Sequence, residues 1–592
     1  MKIKNNIKYF FLFFFFCIFS LILLIQKPAL YGDGNEYLQM IISFTNHGTP
    51  NLLPEDINER NLFVQGTDPY SGIDPYSGYY KDLNGQFYSY HFWLYSLLCV
   101  PVYLFLEIFK IYPMKVFQIT NVIFLFFVGY QLLKSPLEKR KKIWLVIGLI
   151  NPIWLYVPWS HPEVFSFSML FVGLLKLLEK RQVKATIYTA LASLQNPGIA
   201  LVTLIIGIVE LIRIIRIKKI DSKFMFVGLS SLIVLFPYLW YWSHYRVFSL
   251  IGETYTTGLS LEKTINLFID PNFGLVIYIP FLILTLVLLI FKIDKTAIIS
   301  ICTLFLIGLI CSVQLNWNSG ATYINRYAVW MIPIVVFGCL SITRSKNFKW
   351  FAGLSSITNG VILIVCFSFY TSYSYVQFTP LAKLVIGLVP GLYNPPIEVF
   401  VEKSLGKEVS IQEVKPITIY AGGEKRKELV QDENGVYKYI NYRPFLKMDD
   451  LTIMTKYKKD EDINSSDLNM SLSSGFSGLE VWNGRNGRWM DGDSKLLFGS
   501  DNVNKQAELS FITGSFYKIR NAEIYFNGLK IFDSEIPVEE TFLKFNVTLQ
   551  EFNTLEIKAT EKVTKASDFP EYPQEPRRLA FYIMNLNILD QN

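Results

Sequence analysis

An aspartate in this chain stands where it could take a proton at a membrane surface. Asp33 lies in Gly32-Asp33-Gly34-Asn35-Glu36-Tyr37, a few residues beyond an apolar run at 9–25. That run is long enough to span a hydrocarbon core of about 30 Å. A carboxylate just outside it, at the head of a long polar loop, suits a general base. Aspartate is also a common helix N-cap, so placement alone leaves both roles open. Glu36 and Tyr37 follow within one helical turn.

Further residues of the same kind fall in later loops. His161 and Glu163 lie in Trp159-Ser160-His161-Pro162-Glu163, and Trp317, Tyr323 and Arg326 lie in the stretch 317–327. An acid such as Glu163 in a first helical turn is favoured by the helix dipole, which is its structural reading. A cation at a helix start, as at Arg326, is disfavoured by that dipole and points to a partner anion. His47, His91, His161 and His244 lack metal-ligand spacing, so zinc is not indicated. The repeat Asp68-Pro69-Tyr70-Ser71-Gly72 and Asp74-Pro75-Tyr76-Ser77-Gly78 reads as two tight turns.

The elements that must position these residues are membrane helices. Of 592 residues 51% are hydrophobic, in recurrent uninterrupted runs, so a polytopic membrane protein is expected. The net charge of +7 does not imply nucleic acid, because much of the Lys and Arg sits in short clusters between apolar runs. With those clusters inside, the N-terminus is cytoplasmic and the loop at 28–90 is outside. Spans are expected at 116–133, 143–159, 163–178, 224–242, 275–292, 296–314, 327–343 and 351–372. The count closes only if 92–109 is an interfacial or re-entrant helix, and if 185–212 is two short helices meeting near Gln195-Asn196-Pro197-Gly198. The six cysteines all lie in apolar segments, which gives no disulfide framework.

After about residue 375 the pattern turns to alternation. Residues 376–440 read as a linker and the start of an outer region, and 441–592 as an extracytoplasmic β-sandwich or jelly roll. Strand signals include Ala507–Ile512, a hairpin at 522–533 turning at Asn527-Gly528, and Leu579–Ile588. Trp482 and Trp489 are either carbohydrate-stacking or core residues. Their surroundings, Gly475 to Trp482 and Arg488-Trp489-Met490, resemble a segment of the C-terminal sandwich domains of bacterial surface-polysaccharide glycosyltransferases.

Over residues 1–375 the ordered series resembles membrane glycosyltransferases of the C-type superfamily, relatives of the protein mannosyltransferases and the aminoarabinose lipid A transferase. The series is Gly32-Asp33 with Tyr37, then Asn84-Gly85-Gln86-Phe87-Tyr88-Ser89, then His161-Pro162-Glu163. Asp270-Pro271-Asn272-Phe273-Gly274 follows, then Trp317 to Arg326-Tyr327. The resemblance implies a sugar donor on a polyprenyl phosphate, a hydroxyl acceptor on a protein, lipid or glycan, and contact with membrane lipid. It implies Asp33 as general base, Arg326 with Tyr323 on the donor phosphate, and Glu36, Tyr37, His161, Glu163 and Trp317 as positioning residues. It requires no organic cofactor and leaves a divalent metal open. Relatives often carry a second acid directly after the first; Gly34 stands there here. Two other classes remain open at this point: a transporter or flippase of a lipid-linked sugar, and a non-catalytic envelope assembly protein. The Lys-, Ile- and Asn-rich composition suits an AT-rich prokaryotic genome, and hence a plasma-membrane location.

Overall fold

A computed structural model describes the chain apart from residues 1–19 and several shorter stretches, chiefly 65–73, 319–322, 407–416, 443–450, 456–472 and 570–576. Most of the first apolar run and the first Asp-Pro-Tyr-Ser-Gly copy lie outside the described residues. The chain divides into two compact units, Met1–Tyr375 and Val376–Asn592.

The first unit is helical. After the first apolar run the chain forms α1 (Gly34–His47), α2 (Pro54–Val64) and a ribbon of β1 (Tyr79–Lys81) and β2 (Phe87–Ser89), followed by α3 (Leu94–Ile108). Among the described residues, five helical stretches are long and apolar enough to cross a membrane: Pro113–Lys134, Pro197–Ile217, Ser222–Tyr245, Arg326–Arg344 and Phe348–Ser368. They contain α4 (Val116–Lys134), α8 (Ala200–Ile217), α9 (Ser222–Ser231) with α10 (Phe236–Tyr245), α16 (Arg326–Gly338) and α17 (Phe348–Ser368). Burial separates their roles. The Arg326–Arg344 stretch is 89% buried and forms the centre, whereas only 28% of Phe348–Ser368 is buried, with Ile357 and Ile364 exposed.

Two expected single spans are broken. Residues 143–159 form α5 (Lys139–Ile147), then a bend at Gly148 and a 3-10 turn at Pro152–Tyr156. Proline lacks the amide that a continuing helix needs, and the Asn151 side chain caps the new turn by accepting from the Ile153 amide. After α11 (Leu250–Thr254) and α12 (Leu261–Ile269), residues 275–292 divide into α13 (Leu275–Tyr278) and α14 (Pro280–Phe291), again at a proline, and α15 (Lys295–Cys311) follows. The 185–212 stretch does break at Asn196, between α7 (Gln182–Gln195) and α8, but its second arm is long rather than short. Helix α3 has 15 residues, about 22 Å, too short for a core of about 30 Å. Its Leu97, Leu98, Leu104 and Phe105 are exposed.

The second unit is β-rich. Residues 376–440, expected as a linker, hold α18 (Pro380–Leu388), α19 (Ile397–Leu405) and the strands β3 (Ile417–Ala421), β4 (Glu424–Gln431) and β5 (Tyr437–Asn441). With β6 (Leu451–Thr455) these form a four-stranded sheet in the order β5-β4-β3-β6. The remaining strands form one nine-stranded sheet rather than two separate layers. Its path runs β12 (Leu529–Ile536), β11 (Arg520–Phe526), β14 (Phe552–Ala559), β9 (Arg485–Gly499), β15 (Phe581–Asp590), β10 (Gln506–Ser515) and β13 (Thr541–Thr548), with β7 (Ser473–Phe476) and β8 (Glu480–Trp482) also on β9. Strand β9 (Arg485–Gly499) makes this possible. Its first part pairs β15 (Phe581–Asp590) and its second part pairs β14 (Phe552–Ala559). Between the two lies Gly492 at φ 99°, a conformation that side chains disfavour. The sheet therefore bends around one core that includes Phe498, Phe511, Ile524, Leu555 and Ile583. The expected strands at Ala507–Ile512 and Leu579–Ile588, and the Asn527-Gly528 hairpin between β11 (Arg520–Phe526) and β12 (Leu529–Ile536), are present.

Candidate functional site

Asp33 occupies the N-cap position of α1 but does not use its side chain as a cap. Its backbone carbonyl takes the amides of Glu36 and Tyr37. The carboxylate is left for other partners. Oδ2 lies 3.0 Å from His91 Nε2 and 3.2 Å from a guanidinium nitrogen of Arg326, and Oδ1 accepts from the Tyr90 hydroxyl at 3.2 Å. Asp33 and Arg326 keep 21% and 18% of their side chains accessible, so the pair lines an opening rather than a closed core.

Each partner is placed by its own element. His91 and Tyr90 follow β2, and the ribbon is held by α10. The Tyr241 hydroxyl donates to the Tyr90 carbonyl at 2.8 Å, and the Tyr245 hydroxyl to the Tyr80 carbonyl at 2.7 Å. Arg326 is the first residue of α16. Asn325 caps that helix by accepting from the Tyr327 amide, and its amide side chain donates to the Trp317 carbonyl. The Asn325 amide donates to the Phe273 carbonyl, and the Asp270 carboxylate turns the chain at Asn272 and Phe273. The Asp270 motif is thus a support for Arg326. The loop at 159–161 is held by Asn121 of α4, whose side chain donates to the carbonyls of Val157 and Trp159.

The sequence candidates divide into groups. Glu36 is buried beside Asp33 and accepts from the Ser89 hydroxyl at 2.8 Å. Tyr37 stacks on His91 at 5.3 Å and meets the His161 ring at 6.0 Å. Glu163, the first residue of α6 (Glu163–Leu178), is 1% exposed. Trp317 is fully buried and packs on Tyr327 at 5.6 Å. Tyr323 stands three residues before Arg326 in a left-handed conformation, φ 61°. Trp489 meets Phe516 and Tyr582 edge-on in a small aromatic cluster of the second unit. Trp482 lies in β8 (Glu480–Trp482), and its side chain is outside the described residues.

Sequence reading did not assign His91 and Tyr90 to the site. His91 lies 58 positions from Asp33 in an aromatic run that reads as an interfacial anchor, and only the pairing of β1 with β2 brings it back.

Two glycines make the packing possible. A Cβ at Gly34 would lie 1.9 Å from Ser160 Oγ, and one at Gly78 would lie 2.2 Å from Glu36 Oε1. A side chain at position 34 would have to displace Ser160, which disfavours a second acid there. Glu36, one turn on, is the acid next to Asp33.

Charge follows from this geometry. Burial alone would raise the Asp33 carboxyl, but His91, then Arg326, hold it well below the usual carboxylate range. Burial, reinforced by Asp33, pushes Glu36 well above its usual value. Burial drives His161 down to about 3, so its ring is neutral. Asp33, Glu36 and His91 offer ligand atoms within 4.8 Å of one another, a donor set that could hold a divalent cation. A cation there would have to displace the Arg326 guanidinium from Asp33. Around the pair, Ser160 Oγ, Glu163 Oε2 and Arg326 Nε are buried without hydrogen-bond partners. Each such atom costs about 1–3 kcal/mol unless a water or a ligand satisfies it.

No family model matches the chain. No curated protein matches it either. Among solved structures, one described as "CBM4 structure and function" aligns with 20% of this chain and 77% of its own length, at 11% identity and a TM-score of 0.14. At that TM-score the likeness bears on neither fold nor function.

Proposed function

We propose that the protein is a membrane glycosyltransferase that moves a sugar from a polyprenyl-phosphate donor to a hydroxyl acceptor at the outer membrane face. The observation that carries this reading is the Asp33 carboxylate shared between Arg326 and His91 at the rim of the helical unit.

In this mechanism Asp33 accepts the proton of the acceptor hydroxyl as its oxygen attacks the anomeric carbon. The new glycosidic bond forms on the face opposite the leaving group, with inversion. The bond from the anomeric carbon to the phosphate oxygen breaks, and polyprenyl phosphate leaves with the electron pair. Arg326 binds that phosphate by charge-assisted hydrogen bonds, with Tyr323 close by in sequence. A phosphate drawing Arg326 away from Asp33 would weaken the hold on the carboxylate and raise its basicity when donor is present. Tyr37, His161 and Trp317 shape the pocket, and Glu36 and Glu163 offer acceptors for sugar hydroxyls. If a cation were bound by Asp33, Glu36 and His91, it would supply positive charge beside the leaving phosphate.

The test uses purified protein in lipid with a panel of polyprenyl-phosphate sugars and crude envelope acceptor. Release of free lipid phosphate by the wild type, and its loss in Asp33→Asn, is the expected result. Equal binding of lipid-linked sugar by both proteins with no release from either would end the transferase reading in favour of transport or assembly.

A further inference from the structure

The nine-stranded sheet carries a second set of side chains suited to a ligand, on the face turned away from its core. Register fixes which residues share that face. Tyr582 pairs with Trp489 on β9 and with Gly514 on β10 (Gln506–Ser515). Met584 pairs with Ile512, and Ile512 in turn with Phe542 on β13 (Thr541–Thr548). The intervening residues, such as Ile583 and Phe511, belong to the core.

Two observations make this outer face concave. Met584 is only 3% exposed, although it shares the face that points away from the core. Arg485 of β9 and Glu540, which precedes β13, form a two-point ion pair at 2.6 and 3.1 Å. In the sheet, β15 and β10 lie between those two strands. Three strand steps would put them about 14 Å apart in a flat sheet. The pair therefore closes across a hollow whose floor is Tyr582. A Cβ at Gly514 would lie 2.5 to 2.7 Å from the Tyr582 ring, so the ring lies down across β10. Trp489 stands edge-on to it at 5.4 Å as a wall, and Phe542 is 63% exposed.

We propose that this hollow binds a neutral glycan chain. Sugar rings present C–H faces that pack on aromatic rings and hydroxyls that need both donors and acceptors. Tyr582 and Phe542 supply the first. Arg485 and Glu540, with 35% and 48% of their side chains accessible, supply the second. Because the pair cancels its own charge, it suits an uncharged polyol better than an anionic or cationic chain. Laying an aromatic ring over a strand glycine is also a packing device. That accounts for the pose of Tyr582 but not for the bridging ion pair or the exposed Phe542. The proposal does not depend on the transferase reading.

The experiment places full-length protein in lipid nanodiscs over immobilised β-glucan, xylan, mannan, galactan and the envelope polysaccharide of the organism that makes the protein. Heparin serves as an anionic control. The wild type is expected to be retained by at least one neutral glycan and not by heparin. Tyr582→Ala and Phe542→Ala should each bind about 3- to 10-fold more weakly, and Asp33→Asn should bind as the wild type does. Phe542→Ala alters a surface residue, so it reports even if Tyr582→Ala misfolds. Retention by no neutral glycan, retention only by heparin, or undiminished retention of Phe542→Ala would each overturn the proposal.

Discussion

Asp33 and Arg326 are separated by 293 positions in sequence and by 3.2 Å in space. Both stand at helix N-termini, the first as the N-cap of α1 and the second as the opening residue of α16. A cation at a helix start is unfavourable alone, and here the carboxylate of the other helix compensates it.

Removing the carboxylate while keeping its shape tests the proposed base directly. Asp33→Asn is expected to lower lipid-phosphate release by about 10²- to 10⁴-fold. Arg326→Lys keeps the charge but loses the fork geometry, so the KM for the lipid donor should rise more than kcat falls. Steady-state assays with donor and acceptor varied separately would read both effects.

The pH profile carries a second test. Asp33 is depressed below its ordinary value, chiefly by His91 and Arg326 acting against burial. Its carboxylate should therefore stay ionised in the free enzyme down through the usual carboxylate range, near pH 4. The acid limb of kcat/KM should lie below that value. In His91→Ala the limb should move to higher pH, because a group that lowers the pKa is gone. The same depression contributes stability above pH 4 that is lost as the pH falls through the lower folded value.

Glu36 carries the opposite sign. Burial and the Asp33 charge raise its folded pKa, so the folded state holds a proton that the unfolded chain releases, and stability falls as the pH rises from the unfolded value of about 4.3 towards the folded one. Glu36→Gln keeps an acceptor for Ser89 and removes that cost. Its melting temperature should match or exceed that of the wild type at pH 7, with the difference shrinking towards pH 4. A variant markedly less stable at pH 7 would show that the charge itself supports the fold.

The contact of Gly34 with Ser160 is the most sharply defined packing constraint near the site. Gly34→Ala places a methyl 1.9 Å from Ser160 Oγ and should destabilise the protein by about 1–3 kcal/mol. Ser160→Gly in the same chain removes the obstructing hydroxymethyl group and should restore most of the loss. Thermal unfolding of the two single variants and the double variant would measure the coupling.

Much of this arrangement could be read before the fold was known. Asp33, Glu36, Tyr37, His161, Glu163 and Arg326 stood out because few ionisable residues flank the apolar runs in the loops read as opposite the Lys and Arg clusters. His91 and Tyr90 did not, since β1 and β2 have three residues each and a ribbon that short leaves almost no periodic signal. The breaks within 143–159 and 275–292 escaped notice for a different reason. Hydropathy averages over a window, and a single Pro152 or Pro280 breaks a helix without changing that average. The C-terminal strands were legible from alternation, but the bend at Gly492 was not, and it is what turns two expected layers into one sheet.

The unused cap at α1 has a consequence for how this protein could change. A side chain that caps a helix typically contributes about 1 kcal/mol, and Asp33 occupies that position without making the bond. A serine or threonine in its place, freed from Arg326 and His91, could turn back to the helix amides. That gain is smaller than the cost of leaving the Arg326 guanidinium without its carboxylate, so Asp33 is held in place by its partners across the fold and not by its own helix. Thermostable variants gathered without an activity screen should accordingly retain the acid together with Arg326.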